Sequence, residues 1–269
     1  MKDQSSFLRR AGLPAAGVLL VLATSCASPP PTAARGPQVV GPPLASGPVT
    51  SAAPAGTATA TAPAETAAPV VPPLRRGDSG PEVLALQERL DALGYWLGEP
   101  DATFGSLTEQ AVLALQGAAG LDRDGVLGSE TEAALDAGTL PQARSNRGAV
   151  TEIDRDAGII SFVRDGRVQL VLHTSTGTFE TYRYAGRRLL ADTPAGRFAV
   201  TWSFDGLRDG SLGELYRPRY FHPDGIAVHG YPRVPAYPAS HGCARVTPAA
   251  MDMVWARDLM PRGSEVLVF

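Results

Sequence analysis

The segment from Ala27 to Pro73 constrains the fold of this 269-residue chain most, because it cannot form a packed core. It is rich in Ala, Pro, Thr and Gly, it has no aromatic residue, and its only charged residues are Arg35 and Glu65. Such a composition buries too little apolar surface to offset the entropy lost on ordering. We therefore predict a disordered linker over residues 27–73 and expect the folded domains after it.

Residues 1–26 resemble a bacterial export signal of the lipoprotein type. Basic residues precede an apolar stretch over residues 11–23, which is too short to span a bilayer stably. Small residues then lead to Cys26, the position that receives lipid in bacterial lipoproteins, although Ala23 stands where such signals usually have Leu. We expect an extracytoplasmic protein, anchored to the outer face of the cytoplasmic membrane through a lipid on Cys26. An ordinary cleaved secretory signal is the alternative.

Charge and cysteine content limit the possible partners. The chain has 24 basic and 27 acidic residues, so a net charge of −3 gives no electrostatic case for binding nucleic acid. Its two cysteines are Cys26 and Cys243, which leaves Cys243 without an obvious disulfide partner. A spare thiol outside the cytoplasm is a liability unless it is used or buried.

Residues 74–140 have the periodicity of a small helical domain. Apolar residues recur at helical spacing after three Ser-x-x-Glu patterns, which are capping-box signatures at Ser79, Ser106 and Ser129. The sequences 104–109 and 127–132 also look like a short internal repeat. We predict three helices, which is near the lower size limit for a stable core.

Several motifs of this segment resemble the three-helix peptidoglycan-binding domain. They are Leu74-Arg75-Arg76-Gly77-Asp78-Ser79-Gly80-Pro81-Glu82-Val83, Leu86-Gln87-x-x-Leu90, Leu93-Gly94-Tyr95, Phe104-Gly105-x-x-Thr108, Ala111-Val112, Gln116 and Asp124-Gly125-x-x-Gly128-x-x-Thr131. The resemblance implies affinity for the glycopeptide of the cell wall. The chain departs from the family at Asp101-Ala102, where Asp-Gly is usual, and we expect this change to affect the loop before Phe104.

Residues 148–269 change to the periodicity of strands. Apolar runs at 159–163 and 168–172 flank Asp165-Gly166, a strong hairpin signal, and further short runs follow at 198–202, 226–229 and 266–269. We predict a mainly β, sandwich-like domain with one helix over 247–259. Trp202, Phe198 and Trp255 are interpreted as core residues, and the charged run 183–188 as a solvated loop.

Cys243 is the candidate nucleophile on residue chemistry alone, because it follows His241 by two positions and His229 by fourteen. An imidazole can take the thiol proton and later return it to an amine. A buried inert thiol is one alternative. A zinc site of His229, His241 and Cys243 with His222 or Asp224 is another, although the ligand spacing is irregular. The residue types alone do not decide between the two histidines as the base.

Four motifs in order make this domain similar to the L,D-transpeptidase catalytic domain of the YkuD type. They are Ser175-Thr176-Gly177, Thr193-Pro194-Ala195-Gly196-Arg197-Phe198, Ile226-Ala227-Val228-His229-Gly230 and Ser240-His241-Gly242-Cys243-Ala244-Arg245. The resemblance implies a cysteine enzyme that remodels peptidoglycan stem peptides, with no metal and no cofactor. One departure is the short segment 230–239, which leaves the shape of the substrate mouth open.

The resemblance also assigns roles to individual residues. Cys243 is expected to be the nucleophile and His229 the general base and acid. The remaining expected roles are orientation of the imidazole by the carbonyl of Gly230, binding of a substrate carboxylate by Arg245 and lining of the cleft by Tyr220. The oxyanion is expected to be supported by His241, Gly242 and Cys243 through side-chain and backbone N–H groups, with Ser240 beside them.

The implied reaction releases D-Ala from a tetrapeptide stem through a thioester on Cys243 and then forms a 3→3 crosslink with a second stem. Carbapenems are expected to acylate the same thiol. With water as the acceptor, the site would act as an L,D-carboxypeptidase. A non-catalytic wall-binding lipoprotein is the hypothesis of a different class.

Overall fold

The computed structural model describes residues 72–269. The predicted export signal, the lipidation candidate Cys26 and the predicted linker up to residue 71 lie outside the described residues. Within the described part, no helix combines the length and the apolar character needed to cross a membrane.

The described residues form four helices and twelve strands. The helices are α1 (Pro81–Ala92), α2 (Ser106–Ala119), α3 (Ser129–Asp136) and α4 (Pro248–Ala256). The strands are β1 (Ala149–Asp154), β2 (Ile159–Arg164), β3 (Arg167–His173), β4 (Thr181–Tyr184), β5 (Arg187–Leu190), β6 (Gly196–Ala199), β7 (Trp202–Ser203), β8 (Leu207–Gly210), β9 (Gly213–Tyr220), β10 (Ala227–Gly230), β11 (Ala244–Val246) and β12 (Glu265–Val268).

The three predicted helices form, but the predicted serine caps do not. Each helix follows a glycine at its N-cap, Gly80, Gly105 or Gly128, and no side chain accepts a hydrogen bond there. Ser106 and Ser129 are already the first helical residues, so their hydroxyls lie one position too far along to cap. The capping-box prediction is therefore wrong in mechanism, although it marked the helix starts closely.

Two buried glutamines organise the internal repeat. Gln87 donates to the side chains of Asp101 and Thr108 at 2.9 Å, and both amides at 101 and 102 donate back to its Oε1. Gln116 makes the equivalent bonds to the side chains of Asp124 and Thr131 at 2.6 and 3.1 Å. Each glutamine thus satisfies a loop backbone and a helix start at once, which explains why the Asp and Thr positions recur.

The unusual Ala102 sits at a position that favours glycine. Its φ of 60° lies in the left-handed region, where an alanine Cβ is crowded. Its N–H still donates to Gln87 Oε1 at 2.9 Å. The loop therefore keeps its hydrogen bonds, and the expected effect of the Asp-Ala pair appears as local backbone strain.

The second domain is a β sandwich, so the predicted fold class is confirmed. One sheet has the strand order β3-β2-β1-β12-β6, and the other has β11-β10-β9-β7 with β8 also paired to β9. The main core lies between them and includes Ile160 and Val266 from the first sheet, Val228 and Ala244 from the second, and Met251 from α4. The helix after the cysteine is therefore real, over 248–256, and it closes the core beside β9 and β10.

Trp202 corrects one sequence interpretation, because 42% of it is exposed rather than buried in the core. The chain leaves the first sheet after Ala199 and enters the second at Trp202. The alternation of inward and outward side chains does not continue across that change of sheet. Val200 is buried in the core, but Trp202 is on the opposite side of the second sheet from Phe221 and the core.

The helical domain packs directly on the sandwich. Val171 of β3 donates to the carbonyl of Gly94 at 2.8 Å, and the N–H of Trp96 donates back to Val171 at 3.2 Å. Helix α2 lies along the same strand, and a Cβ on Gly117 would be 2.2 Å from the carbonyl oxygen of Ala157. The contact is close enough at Gly117 to require glycine, so the two domains share a specific interface.

Candidate active site

The candidate residues meet on the outer face of the second sheet. Val228 and Ala244 project into the core, so their neighbours His229 and Arg245 project from the other face. Cys243 directly precedes β11 at the same end. Together these three line a cleft of about 610 Å³. The fold thus brings the predicted nucleophile and base into one cavity.

His229 is held as a neutral imidazole. His229 is only 3% exposed, and its Nδ1 lies 3.0 Å from the carbonyl oxygen of Gly230. A carbonyl can only accept, so Nδ1 carries the proton and Nε2 is left with a free lone pair. Burial lowers the pKa of His229 to about 4, with the charge of Arg245 adding to the effect. The ring can therefore act as a proton acceptor at neutral pH.

Cys243 is half-buried and is held as a thiol. Burial raises the pKa of Cys243, while the N–H of Ala227 and the charge of Arg245 act in the opposite direction. No hydrogen bond joins the thiol to His229 within residues 72–269. The resting site is thus a neutral thiol and a neutral imidazole, and proton transfer must accompany attack on a substrate.

Ser240 fixes the loop before the nucleophile. Its Oγ accepts from the N–H of Gly242 at 3.0 Å and donates to the carbonyl of Cys243 at 2.5 Å. The expectation that the Gly242 N–H serves the oxyanion is therefore wrong in this geometry, because that N–H is already used. The backbone N–H groups of His241 and Cys243 donate to no other described residue and remain available.

Gly242 must be glycine for two reasons. Its φ of 144° is rarely adopted by residues with side chains, and a Cβ there would lie 2.6 Å from the carbonyl oxygen of Asp192. The backbone of residues 192–193 therefore packs directly against the nucleophile loop. Sequence reasoning noted the glycine but not this close approach.

Thr193 is a site residue that sequence reasoning quoted in a motif without giving it a role. It is fully buried, and its Oγ1 donates to the carbonyl of Gly242 at 2.7 Å. The same hydroxyl accepts from the N–H of Gly177 at 3.0 Å. Thr193 thus links three of the four sequence motifs, and the signal that could have identified it is a polar residue within an otherwise structural motif.

Two hairpins form the mouth of the cleft. Residues of β4 and β5, including Tyr182 and Arg187, line one side, and the turn around Leu212 between β8 and β9 lines the other. The run 183–188, predicted to be a solvated loop, is therefore part of a paired hairpin beside the site. His241 is exposed and packs edge-on against Tyr182, with ring centroids 4.7 Å apart.

Comparisons with known proteins agree with this geometry. The peptidoglycan binding domain family matches residues 79–135, and the L,D-transpeptidase catalytic domain family matches residues 149–268. A solved L,D-transpeptidase from Xylanimonas cellulosilytica is 50% identical, with a TM-score of 0.72, and the match covers 75% of this chain and 100% of that one. The chain belongs to the L,D-transpeptidase family.

Curated relatives match a smaller part of this chain than the solved L,D-transpeptidase does. The N-acetylmuramoyl-L-alanine amidase CwlL of Bacillus licheniformis is 42% identical over 89 residues, which are 32% of this chain and 25% of that protein. A spore cortex-lytic enzyme of Bacillus cereus is 34% identical over 86 residues, 32% of this chain and 33% of that protein. The chain thus spans a quarter to a third of the length of these relatives.

Arg245 lines this L,D-transpeptidase cleft without a salt-bridge partner among the described residues. Its Nη1 donates to the carbonyl of Ala239 at 2.8 Å, and its guanidinium lies 4.1 Å from the ring centroid of Tyr231. Burial lowers the pKa of Arg245, and within residues 72–269 no carboxylate forms a salt bridge with it. A partly desolvated guanidinium without a protein anion suits a ligand carboxylate.

The remaining expectations for the site are met to different degrees. Tyr220 lies opposite Ala227 on β9, outside the residues that line the cleft itself. Tyr231 lines the cleft and packs edge-on against His229 at 6.0 Å, a contact that sequence reasoning missed. Of the short segment 230–239 it alone lines the cleft. Val234 of that segment instead accepts from Gln110 of the helical domain at 3.1 Å.

The ligand set for the alternative zinc site is not assembled. Among residues 72–269, no three His, Cys, Asp or Glu side chains lie close enough together to hold a metal ion. His222 instead accepts from the N–H of Asp224 at 3.2 Å and packs against Phe198. The donors required by that hypothesis are therefore not close enough together to bind one metal ion.

Proposed function

We propose that this protein is a cysteine L,D-transpeptidase that forms 3→3 crosslinks between peptidoglycan stem peptides. The observation that carries the proposal is the shared cleft of Cys243 and His229, in which the imidazole is neutral and its Nε2 is free to accept a proton. The family membership supports the reaction class. The peptidoglycan-binding domain supports the cell wall as the substrate.

The first step transfers an acyl group to the enzyme. Cys243 Sγ attacks the carbonyl carbon at the L-configured centre of the diamino acid that precedes the terminal D-Ala, while His229 Nε2 takes the thiol proton. The C–N bond to D-Ala then breaks, and the imidazolium returns the proton to the departing amine. The products are a thioester on Cys243 and free D-Ala.

The second step transfers the acyl group to an amine of another stem. His229 removes a proton from the attacking amine, the C–S bond breaks, and the sulfur regains a proton. Water in place of the amine would give the carboxypeptidase reaction with the same residues. The nature of the acceptor therefore separates the two activities.

The free N–H groups of His241 and Cys243 are the donors we assign to the oxyanion that develops in both steps. Ser240 and Thr193 keep the backbone of that loop in place, and Gly230 keeps the imidazole in the required tautomer. Arg245 is assigned to a carboxylate of the donor stem, since it is the partly buried cation nearest this chemistry.

We further propose that the protein works outside the cytoplasm, lipid-anchored through Cys26. The linker over 27–73 would then separate the folded domains from the bilayer, by roughly 40 Å as a random coil. Labelling of cells with a radioactive fatty acid tests the anchor: wild type should carry the label and Cys26→Ser should not. Label retained by Cys26→Ser would contradict it.

Incubation of the purified protein with disaccharide tetrapeptides, followed by mass spectrometry, tests the enzyme proposal. Wild type should release D-Ala and produce crosslinked dimers, and Cys243→Ser and His229→Gln should do neither. Release of D-Ala without dimers would favour the carboxypeptidase. No release by wild type would favour a non-catalytic wall-binding protein, and unchanged release by Cys243→Ser would rule out Cys243 as the nucleophile. Carbapenem should add its mass to wild type and to Cys26→Ser, but not to Cys243→Ser.

A further inference from the structure

A stacked aromatic pair, one member of which is exposed, lies on the same sheet face as the candidate active site. Trp202 and Tyr220 are opposite each other on β7 and β9, and their rings stack with centroids 5.0 Å apart and an interplanar angle of 26°. Trp202 is 42% exposed and the neighbouring Phe204 is 40% exposed. Large exposed aromatic surfaces of this kind commonly mark binding sites.

Arg208 completes the exposed group. Its guanidinium lies 4.5 Å from the ring centroid of Trp202 and 5.7 Å from that of Tyr220. Arg208 forms neither a salt bridge nor a side-chain hydrogen bond with another residue in the described part of the chain. It therefore offers free N–H donors directly beside a flat apolar surface. We call Trp202, Tyr220 and Arg208 the aromatic platform.

The aromatic platform is in register with the nucleophile. Val228 of β10 lies opposite Ala244 of β11, which puts Ala227 beside Cys243. Ala227 lies opposite Tyr220, and Tyr220 lies opposite Trp202. Residues directly opposite each other in a sheet project from the same face. A single row thus runs from Cys243, just before β11, across β10 and β9 to Trp202 on β7.

The length of this row matches the substrate. Three strand spacings of about 4.8 Å place Trp202 roughly 14 Å from the thiol. The reacting carbonyl belongs to the third residue of the stem, and three extended residues span about 10 Å. The short link between the stem and its sugar covers the remaining few ångströms. A donor stem extended along the row would bring its sugar to the aromatic platform.

We propose that the aromatic platform binds the N-acetylated amino sugar that carries the donor stem, so that the enzyme recognises the glycan strand as well as the peptide. The flat C–H face of a pyranose packs on an aromatic ring, and its hydroxyl and acetamido oxygens accept from a guanidinium. The inference rests on the proposed function, because the stem must be held at Cys243 for its sugar to reach Trp202.

A peptide ligand fits the platform less well than a sugar. The cleft between the two hairpins already provides polar and charged groups for the stem, namely Arg245, Asp192 and backbone groups. The platform lies beyond that cleft and consists of flat aromatic surface with a single cation. That combination offers stacking and hydrogen-bond donors but no pocket for a side chain.

The first test compares a disaccharide tetrapeptide with the free tetrapeptide as donors for D-Ala release. Wild type should show about tenfold higher kcat/KM for the sugar-bearing donor, from roughly 1.4 kcal/mol of added contact. Trp202→Ala should lose that advantage while its rate on the free tetrapeptide is unchanged, and Trp202→Phe should keep part of it. Tyr237→Ala is the control, because this aromatic is 61% exposed but lies outside the platform.

The second test does not depend on turnover. Titration with an oligomer of N-acetylglucosamine should change the tryptophan fluorescence of wild type in a saturable way. Arg208→Ala, which keeps every tryptophan, should bind several-fold more weakly, and Trp202→Phe, which removes the tryptophan of the aromatic platform, should lose most of the fluorescence change. Equal rates of wild type on both donors, or identical titrations of all three proteins, would overturn the inference. If the enzyme releases D-Ala from neither donor, the proposed function fails. The titration then tests by itself whether the aromatic platform binds the sugar.

Discussion

The hydroxyl of Thr193 donates a 2.7 Å hydrogen bond to the carbonyl oxygen of Gly242, directly before the nucleophile. Thr193 is fully buried and also accepts from the N–H of Gly177. The N–H of Gly177 and the carbonyl of Gly242 are both in buried residues, so water cannot replace this hydroxyl as their partner. The position of Cys243 therefore depends on a side chain from a different part of the chain.

Replacement of Thr193 should affect both folding and catalysis. Thr193→Val keeps the shape but leaves a buried carbonyl and a buried N–H unpaired, which should lower the free energy of unfolding by about 2–3 kcal/mol. D-Ala release should fall by at least roughly tenfold, because the donors of the loop are displaced. Urea denaturation and single-turnover assays measure the two effects. Thr193→Ser retains the hydroxyl and should stay near wild type; an equal loss in Thr193→Ser would contradict this explanation.

A side chain at position 242 should distort the nucleophile loop. Gly242→Ala places a Cβ 2.6 Å from the carbonyl oxygen of Asp192 and requires a φ that alanine rarely adopts. We expect a loss of D-Ala release of roughly a hundredfold and a destabilisation of a few kcal/mol. Gly263→Ala is the matched control, because φ there is also positive at 89° but no atom lies within 4 Å of the added Cβ. Comparable losses of activity in the two variants would show that the contact at Asp192 is irrelevant.

The buried imidazole of His229 should make stability depend on pH. Its pKa is about 4 in the folded protein, below the ordinary 6.5, so the unfolded chain binds a proton more readily between those values. The contribution to stability is complete above about pH 6.5, is lost as the pH falls through about 4, and amounts to about 3 kcal/mol.

Unfolding measured in urea at several pH values checks this expectation. His229→Gln cannot take up that proton, so its stability should fall less than that of wild type on going from about pH 7 to about pH 4.5, by about 2–3 kcal/mol. His173 is buried as well, and its pKa is also lowered to about 4, so a residual pH dependence should persist in the variant. Parallel pH profiles of wild type and His229→Gln would be inconsistent with a neutral buried imidazole.

Arg245 should contribute to substrate binding more than to folding. Arg245→Gln removes the charge and the fork that suits a carboxylate, and kcat/KM for the tetrapeptide should fall by roughly ten- to a hundredfold, largely through KM. Arg245→Lys should recover only part, because an ammonium is not planar and stacks poorly on Tyr231. Steady-state kinetics measure this, with the exposed Arg197→Gln as the control. A pure kcat effect would point to a role other than carboxylate binding.

Ala102 offers a stabilising substitution. Its φ of 60° is costly for alanine and free for glycine, so Ala102→Gly should raise the free energy of unfolding by roughly 0.5–1 kcal/mol. The N–H bond to Gln87 should be unaffected, since it is made by the backbone. Thermal or urea unfolding checks the change, and Ala195→Gly, at an exposed position without a positive φ, should not stabilise. A lower stability of Ala102→Gly would mean that the strain is absent in solution.

The order of the two domains could be predicted from the sequence because it depends on local signals, whereas the pairing of Cys243 with His229 came from a family resemblance and stays a prediction. Helical and strand periodicities distinguish the two domains, and Cys243 and His229 stand in motifs with fixed spacing. The loop hydrogen bonds of Thr193 and Ser240 could not be predicted. The bond of Thr193 joins it to Gly242, 49 positions along the chain. The bond to Ser240 uses the N–H of Gly242, which was expected to face the oxyanion.

Trp202 and the run 183–188 show why exposure was harder to predict. Alternation along a strand predicts which face a residue occupies only while the strand stays in one sheet, and the chain changes sheets just before Trp202. The charged run is polar as a loop would be, but the turn at Ala185-Gly186 has two positive φ values, which is typical of a tight hairpin. Polarity there reflects the solvent side of a paired element.

The contact of Gly94 and Trp96 with Val171 has a consequence for the integrity of the catalytic domain. Strand β3 is the outermost strand of its sheet, so without these residues its free N–H and C=O groups would be open to strands of other molecules. The helical domain pairs with that edge at Val171, and this contact leaves fewer free groups for a strand of another molecule to bind. The helical domain therefore also shields part of an edge strand of the catalytic domain from pairing with strands of other molecules.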